Sequence, residues 1–167
     1  QFYGAKLSSE IGLKIPQMYD AALAGKFKAL WVMGQDLVQT DPNTEHVKKA
    51  LNSLEFLVVQ EIFMSETARY ANVVLPGASF FEKSGTFTNS DRRVQRIRQA
   101  LPLPGQSWAD WQIVCELAKR METLLGKPHS AGFDYSGPEA IWEEMRQVTP
   151  DFGGISYERL EREKGIH

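Results

Sequence analysis

The chain has 167 residues, of which 43% are hydrophobic and 24% are charged, the composition of an ordinary globular protein. Its 19 basic and 21 acidic side chains nearly cancel, which argues against a nucleic-acid partner or an anionic-membrane surface. No apolar run approaches the roughly 20 residues that a membrane-spanning helix needs, and a single cysteine, Cys115, excludes an internal disulfide or a four-cysteine metal cluster. We therefore expect no nucleic acid partner and no direct membrane insertion.

The first half of the chain alternates between helical and strand-like segments. Short apolar blocks predict buried strands, and segments with helical spacing or capping residues precede and separate them. In chain order, the predictions are a helix at 15–23, a strand at 29–33, a helix beginning near 41–44, a strand at 56–59, a short helix at 65–70 capped by Ser65, and a strand at 73–75 ended by Pro76. Strands and helices that alternate at this spacing imply a parallel sheet.

The second half has a different character. Residues 77–106 are rich in Gly, Ser, Thr and charge and predict loops with short strands. Amphipathic helices are predicted at 108–121, with Cys115 in the core, and at 138–148, and the charged tail from Ser156 is expected to fray. The predicted fold class is therefore α/β, with a Rossmann-like parallel sheet flanked by helices, followed by an irregular segment and C-terminal helices.

Two carboxylates directly follow predicted strands. Asp36 follows the first strand and Glu61 the second, and ligands of open parallel sheets bind beyond the carboxyl ends of the strands. A carboxylate accepts two neighbouring N–H donors, and the Watson–Crick edge of guanine presents such a pair. A guanine nucleotide is therefore a sensible ligand, and the alternative is that both carboxylates only cap the helices that follow them.

The loop that follows the third strand contains further polar residues. Lys83 could pair with a diphosphate, although a lysine in this position could equally be a solvated surface charge. A basic run continues to Arg98, and for Arg96 and Arg98 an exposed strand face is the favoured interpretation. Neither GxGxxG nor GxxxxGK[ST] follows the first strand, so an ordinary NAD site or P-loop is not expected.

Several ordered motifs resemble a known enzyme family. They are GKFKALWVMG at 25–34, QTDP at 39–42, LVVQEIFMSETA at 57–68 and EKSGTFTNSDRRVQ at 82–95. Together they resemble the molybdopterin oxidoreductases, in particular the large (alpha) subunit of formate dehydrogenases, over roughly residues 11–122. A nitrate reductase or a complex I-type subunit of the same family is an alternative, as is a free-standing nucleotide-binding module that shares only the fold.

The resemblance implies a pterin-binding domain at 11–122, which holds one molybdopterin guanine dinucleotide, and a helical extension at 123–167 that leads toward the next domain. Matching positions imply that the cofactor-binding residues are Gly34, Gln35, Asp36, Thr40, Gln60, Glu61, Lys83 and Asp110. The family usually has Asp where Glu61 stands, and the extra methylene could displace that contact.

The family's catalytic parts have no counterpart in these residues. The resemblance places a 4Fe-4S cluster, and the cysteine or selenocysteine that ligates molybdenum or tungsten, elsewhere in a longer parent subunit. We therefore predict no catalytic residue and no metal ligand in this chain, and no formate oxidation by this piece alone. The expected partners are the remaining domains of the parent and its electron-transfer subunits, and a cytoplasmic location is favoured over a periplasmic one.

Overall fold

The computed structural model describes residues 8–126 and 132–163. Its chain divides into two compact units, Gln1–Gly77 and Ala78–His167. Within the described ranges, no helix is long and apolar enough to cross a bilayer. The division falls inside the cofactor-binding domain predicted at 11–122. That domain is defined by cofactor contacts and not by compactness of the chain, so its bounds stay a prediction.

The first unit contains a three-stranded parallel sheet in the order β1-β2-β3. Its elements in chain order are α1 (Ile15–Leu23), β1 (Ala29–Met33), α2 (Leu37–Thr40), α3 (Thr44–Ser53), β2 (Phe56–Glu61), a 3-10 helix (Thr67–Tyr70) and β3 (Val73–Pro76). The predicted α/β class is confirmed, and β2 continues two residues beyond the predicted apolar block.

The core of the first unit lies on one face of this sheet. Val32 of β1 and Val59 of β2 are aligned in the register and both are buried, as is Leu57. Val47 and Leu51 of α3 pack against them, because residues four apart project from the same side of a helix. The strands and α3 are thereby fixed to one another, and the sheet's carboxyl ends lie at one edge.

Local capping residues set where these helices begin. The Asn43 side chain accepts a hydrogen bond from the His46 N–H at 3.2 Å and caps α3. The Ser65 hydroxyl accepts one from the Ala68 N–H at 3.2 Å, so it caps the 3-10 helix in the way the sequence predicts. The sequence places the start of α3 within residues 41–44, and the structure identifies Asn43 as the capping residue.

The second unit combines a two-stranded antiparallel hairpin with helices. Its elements are β4 (Gly85–Thr88), β5 (Val94–Ile97), α4 (Asp110–Leu124), α5 (Pro138–Val148), a 3-10 helix (Pro150–Phe152) and α6 (Tyr157–Glu163). The helix at 138–148 has the predicted bounds, whereas α4 begins two residues later and ends three residues later than predicted. Cys115 is buried on α4 as predicted, and burial raises the pKa of its thiol.

The chain from Ser156 to Glu163 does not fray, contrary to expectation. Tyr157 and Leu160 of α6 are buried in a core with Trp142 of α5, whose indole N–H donates to the Ile155 carbonyl at 2.7 Å. The charged surface of the segment suggested a solvated helix, but its two apolar side chains, three residues apart, share one buried face. Residues 164–167 lie outside the described part of the chain.

Candidate functional site at the carboxyl edge of the sheet

The register of the parallel sheet brings the predicted loops of the first unit together. Met33, the last residue of β1, is aligned with Gln60 of β2, and Glu61 is aligned with Pro76 of β3. Two backbone bonds continue this alignment past the strand ends: Gly34 N–H donates to the Gln60 carbonyl at 2.9 Å, and Gly77 N–H donates to the Glu61 carbonyl at 3.1 Å. The loops that follow the three strands therefore begin side by side.

Gly34 turns the chain out of β1 in a conformation that other residues rarely adopt. Its φ is 62°, in the left-handed region that glycine reaches at little cost. A Cβ placed there would meet no atom within 4 Å, so the space over its backbone is open. The following residue, Gln35, is exposed. The tip of this loop thus presents backbone and a flexible amide to the surroundings.

Asp36 is engaged within the protein. Its carboxylate accepts hydrogen bonds from Thr67 Oγ1 at 2.6 Å, Thr67 N–H at 3.0 Å and Glu66 N–H at 3.2 Å. Burial alone would raise the pKa of this carboxyl, but these donors outweigh burial and lower it. The Gln39 N–H contributes to the same lowering of the pKa, so donors of the protein itself take most of the acceptor sites of this carboxylate.

Asp36 caps a helix, as the alternative interpretation predicted, but not the helix that directly follows it. Asp36 stands at the start of α2 without a side-chain capping bond to that helix, and its carboxylate caps the 3-10 helix that follows β2. Thr40, another predicted contact, donates its hydroxyl to the Asp36 carbonyl at 2.8 Å. Both residues therefore shape the loop after β1, and their direct contact with a cofactor stays a prediction.

Gln60 and Glu61 differ in exposure. Gln60 is 1% exposed, so its side chain belongs to the interior of the protein. Glu61 is half-buried, and its Oε1 accepts a hydrogen bond from the next N–H, that of Ile62, at 2.7 Å. That bond holds the Glu61 carboxylate against its own loop, with lone pairs left for further donors.

The two predicted contacts in the second unit are bonded to one another. Lys83 forms an ion pair with Asp110, and both side chains are about one-quarter to one-third exposed. Asp110 is the first residue of α4, where the helix dipole favours a negative charge. The structure thus brings a cation and an anion together in this unit, where the sequence indicated two separate ligand contacts.

Sequence reasoning missed Thr67 and misjudged Arg96. Thr67 is fully buried, and its hydroxyl bonds Asp36 while accepting the Val38 N–H at 3.0 Å. Nothing in the sequence predicts that pairing, since about 30 residues separate the partners. Arg96 is not on an exposed strand face as expected: it is 18% exposed, lies 3.9 Å from the Tyr157 ring centroid and pairs with Glu161.

A sequence model of the molybdopterin oxidoreductase family matches residues 3–120, more than half of the chain. The chain belongs to the molybdopterin oxidoreductase family. Among relatives, it is 46% identical over 168 aligned positions to the F420-dependent formate dehydrogenase subunit alpha of Methanocaldococcus jannaschii, covering 100% of this chain and 24% of that subunit. It is 45% identical to the putative formate dehydrogenase YrhE of Bacillus subtilis, covering 95% of this chain and 15% of YrhE.

The fold of this molybdopterin oxidoreductase chain agrees with that of a solved structure. Acetylene hydratase from Pelobacter acetylenicus superposes with a TM-score of 0.66 at 19% identity, over 89% of this chain and 20% of that protein. At that identity the likeness concerns the fold alone. In every one of these comparisons, the chain spans a quarter or less of the protein that it matches.

Proposed function

We propose that this chain is the part of a formate dehydrogenase alpha subunit that holds one molybdopterin guanine dinucleotide. Membership of the family implies a molybdopterin cofactor. The observation that carries the finer proposal is the shared sheet edge, where Gly34, Glu61 and Gly77 begin three adjacent loops. That edge is where open parallel sheets bind nucleotides.

The residues at this edge suit a guanylated pterin dinucleotide. Glu61 supplies a carboxylate with spare lone pairs for the paired N–H donors of guanine. The open backbone at Gly34 and the exposed amide of Gln35 allow close approach of a flat or phosphorylated group. We also propose Lys83 and Asp110 of the second unit as cofactor contacts, and because they form an ion pair with one another, a diphosphate would compete with Asp110 for the charge of the lysine.

The proposed role of these residues is binding and orientation. When bound, the metal–pterin group supplies the chemistry that takes two electrons from formate and releases carbon dioxide. The side chains of this chain would anchor the nucleotide end of that group. No residue of the chain is proposed to touch formate.

The remainder of the proposal concerns the parent subunit. We propose that residues 11–122 form its dinucleotide-binding part and that 123–167 extend from it. A 4Fe-4S cluster and the molybdenum or tungsten ligand would lie in other domains, and electron-transfer subunits would accept the electrons. A cytoplasmic location is proposed over a periplasmic one.

The proposal is tested on the purified parent subunit. Pterin and GMP released by acid oxidation are measured, together with formate-dependent reduction of an artificial acceptor. We expect both products and activity, and we expect Glu61→Gln to lower the GMP content while Glu45→Gln, an exposed change on α3 in the same unit, leaves it unchanged. A subunit that purifies folded and active without GMP would refute the dinucleotide proposal, and one without formate-dependent reduction would refute the proposed substrate.

A further inference from the structure

The loops after β1 and β2 are joined by reciprocal capping bonds. Asp36, just before α2, accepts from the Thr67 N–H at the start of the 3-10 helix at 3.0 Å. Thr67 in turn accepts from the Val38 N–H in the first turn of α2 at 3.0 Å. The first N–H groups of a helix have no partner within it, so each segment satisfies an N–H that the other leaves open.

The Thr67 hydroxyl is the centre of this arrangement. It donates to Asp36 Oδ1 at 2.6 Å and accepts from Val38, so its donor and one acceptor site are both used. The residue is fully buried, which leaves no water to replace either bond. Valine has the same shape without the hydroxyl, whereas serine keeps the hydroxyl without the methyl group.

These bonds fix the distance between the loop after β1 and the loop after β2. The loop from Gly34 to Asp36 is tied at its base by the Gly34–Gln60 backbone bond and at its far end by Thr67. The segment that ends at Thr67 begins at Glu61. Both loops are those that the proposed function assigns to the dinucleotide, so their separation sets where Gln35 and Glu61 can meet it.

We propose that Thr67 is a positioning residue for the nucleotide end of the cofactor. We expect its side chain to touch no cofactor atom. It holds the loop after β1 at a fixed distance from the loop after β2, and the proposal rests on the proposed function. If Thr67 served only the stability of the first unit, its variants would retain the cofactor as well as any other variant with the same loss of thermal stability.

The test compares cofactor release from variants of the purified parent subunit. Release of GMP-bearing pterin is followed at a temperature well below unfolding, alongside the KM for formate and the kcat per bound cofactor. The variants are Thr67→Val, Thr67→Ser and Thr67→Cys, whose thiol is a weak donor. Val47→Ala, in the core and away from the loops, is the control for lost stability.

We expect Thr67→Val to release cofactor about tenfold faster than wild type, by analogy with the roughly 10–100-fold loss of metal affinity when a side chain that orients a metal ligand is removed. Thr67→Ser should stay within about twofold of wild type, and Thr67→Cys should lie between serine and valine, because two good hydrogen bonds are kept, weakened or lost in turn. The kcat per bound cofactor and the KM for formate should not change.

Three results would overturn the proposal. The first is release from Thr67→Val at the wild-type rate, and the second is equal release from Thr67→Val and a Val47→Ala subunit of the same melting temperature. If Thr67→Val does not fold, equal release from Thr67→Cys and Thr67→Ser is the third. A wild-type subunit that contains no guanine dinucleotide refutes the proposed function itself, a result distinct from these three.

Discussion

Replacing Asp36 with alanine tests how the loop after β1 is held. The change removes the acceptor of three hydrogen bonds, two from Thr67 and one from the Glu66 N–H. Glu66 is partly exposed and can bond water instead, but Thr67 is fully buried and would keep two unsatisfied donors. At about 1–2 kcal/mol for each buried donor, the free energy of unfolding should fall by about 3 kcal/mol.

The assay is thermal unfolding at neutral pH, with amide hydrogen exchange at Thr67 and Val38 as a local readout. For the 167-residue chain, a loss of about 3 kcal/mol corresponds to a melting temperature lower by roughly 6–12 °C. Asp20→Ala is the matched control, because that carboxylate is 72% exposed and pairs with the His46 ring at 3.1 Å on the protein surface. It should change the free energy of unfolding by less than about 1 kcal/mol.

The same variant carries a pH signature. The pKa of Asp36 is lowered in the folded chain from its ordinary value of 3.8, so its charged form stabilises the fold. The stability difference between wild type and Asp36→Ala should be constant above that ordinary value and shrink as the pH falls through the lower folded-state pKa. Equal melting temperatures for Asp36→Ala and Asp20→Ala, or a gap that widens in acid, would refute this reasoning.

Three further changes test local features of the fold by urea or thermal denaturation. Arg92 lies in the hairpin turn with a φ of 63°, so Arg92→Gly should raise the free energy of unfolding by roughly 0.5–1 kcal/mol. A larger loss of stability in Arg92→Gly than in Arg93→Gly would contradict the strain argument. Trp142→Phe loses the indole bond to a core carbonyl and should cost about 1–2 kcal/mol, so an unchanged melting temperature would show the bond to be unimportant. Asn43→Ala should cost about 1 kcal/mol through loss of the α3 cap while Asn43→Ser restores it, and equal stabilities of the two variants would exclude the capping role.

The sheet could be predicted because its strands are short apolar blocks. Ala29–Met33 is an unbroken apolar run that Gly34 ends, although Val32 is its one buried residue. The end of β2 could not be read in the same way, since Gln60 and Glu61 are polar and still pair with their neighbours in the sheet. Tertiary pairing, which a local pattern does not contain, extends the strand there.

The geometry of the candidate site was predictable only where the position of a residue along a strand decides it. Parallel strands place their ends at one edge, so Gly34, Gln60 and Glu61 meet as the sequence indicates. The partners of Asp36 could not be predicted, because Thr67 lies 31 residues away and carries no pattern that links the two. The burial of Arg96 over Tyr157 depends likewise on a helix about 60 residues further along the chain.

The most direct test of the account is an experimental structure of the parent subunit with its cofactor bound. We predict a guanosine at the carboxyl edge of the three-stranded sheet, with its N–H donors within hydrogen-bond distance of the Glu61 carboxylate and the Asp36–Thr67 bonds intact. A cofactor bound in the same subunit with its guanosine away from the loops after β1 and β2 would contradict it.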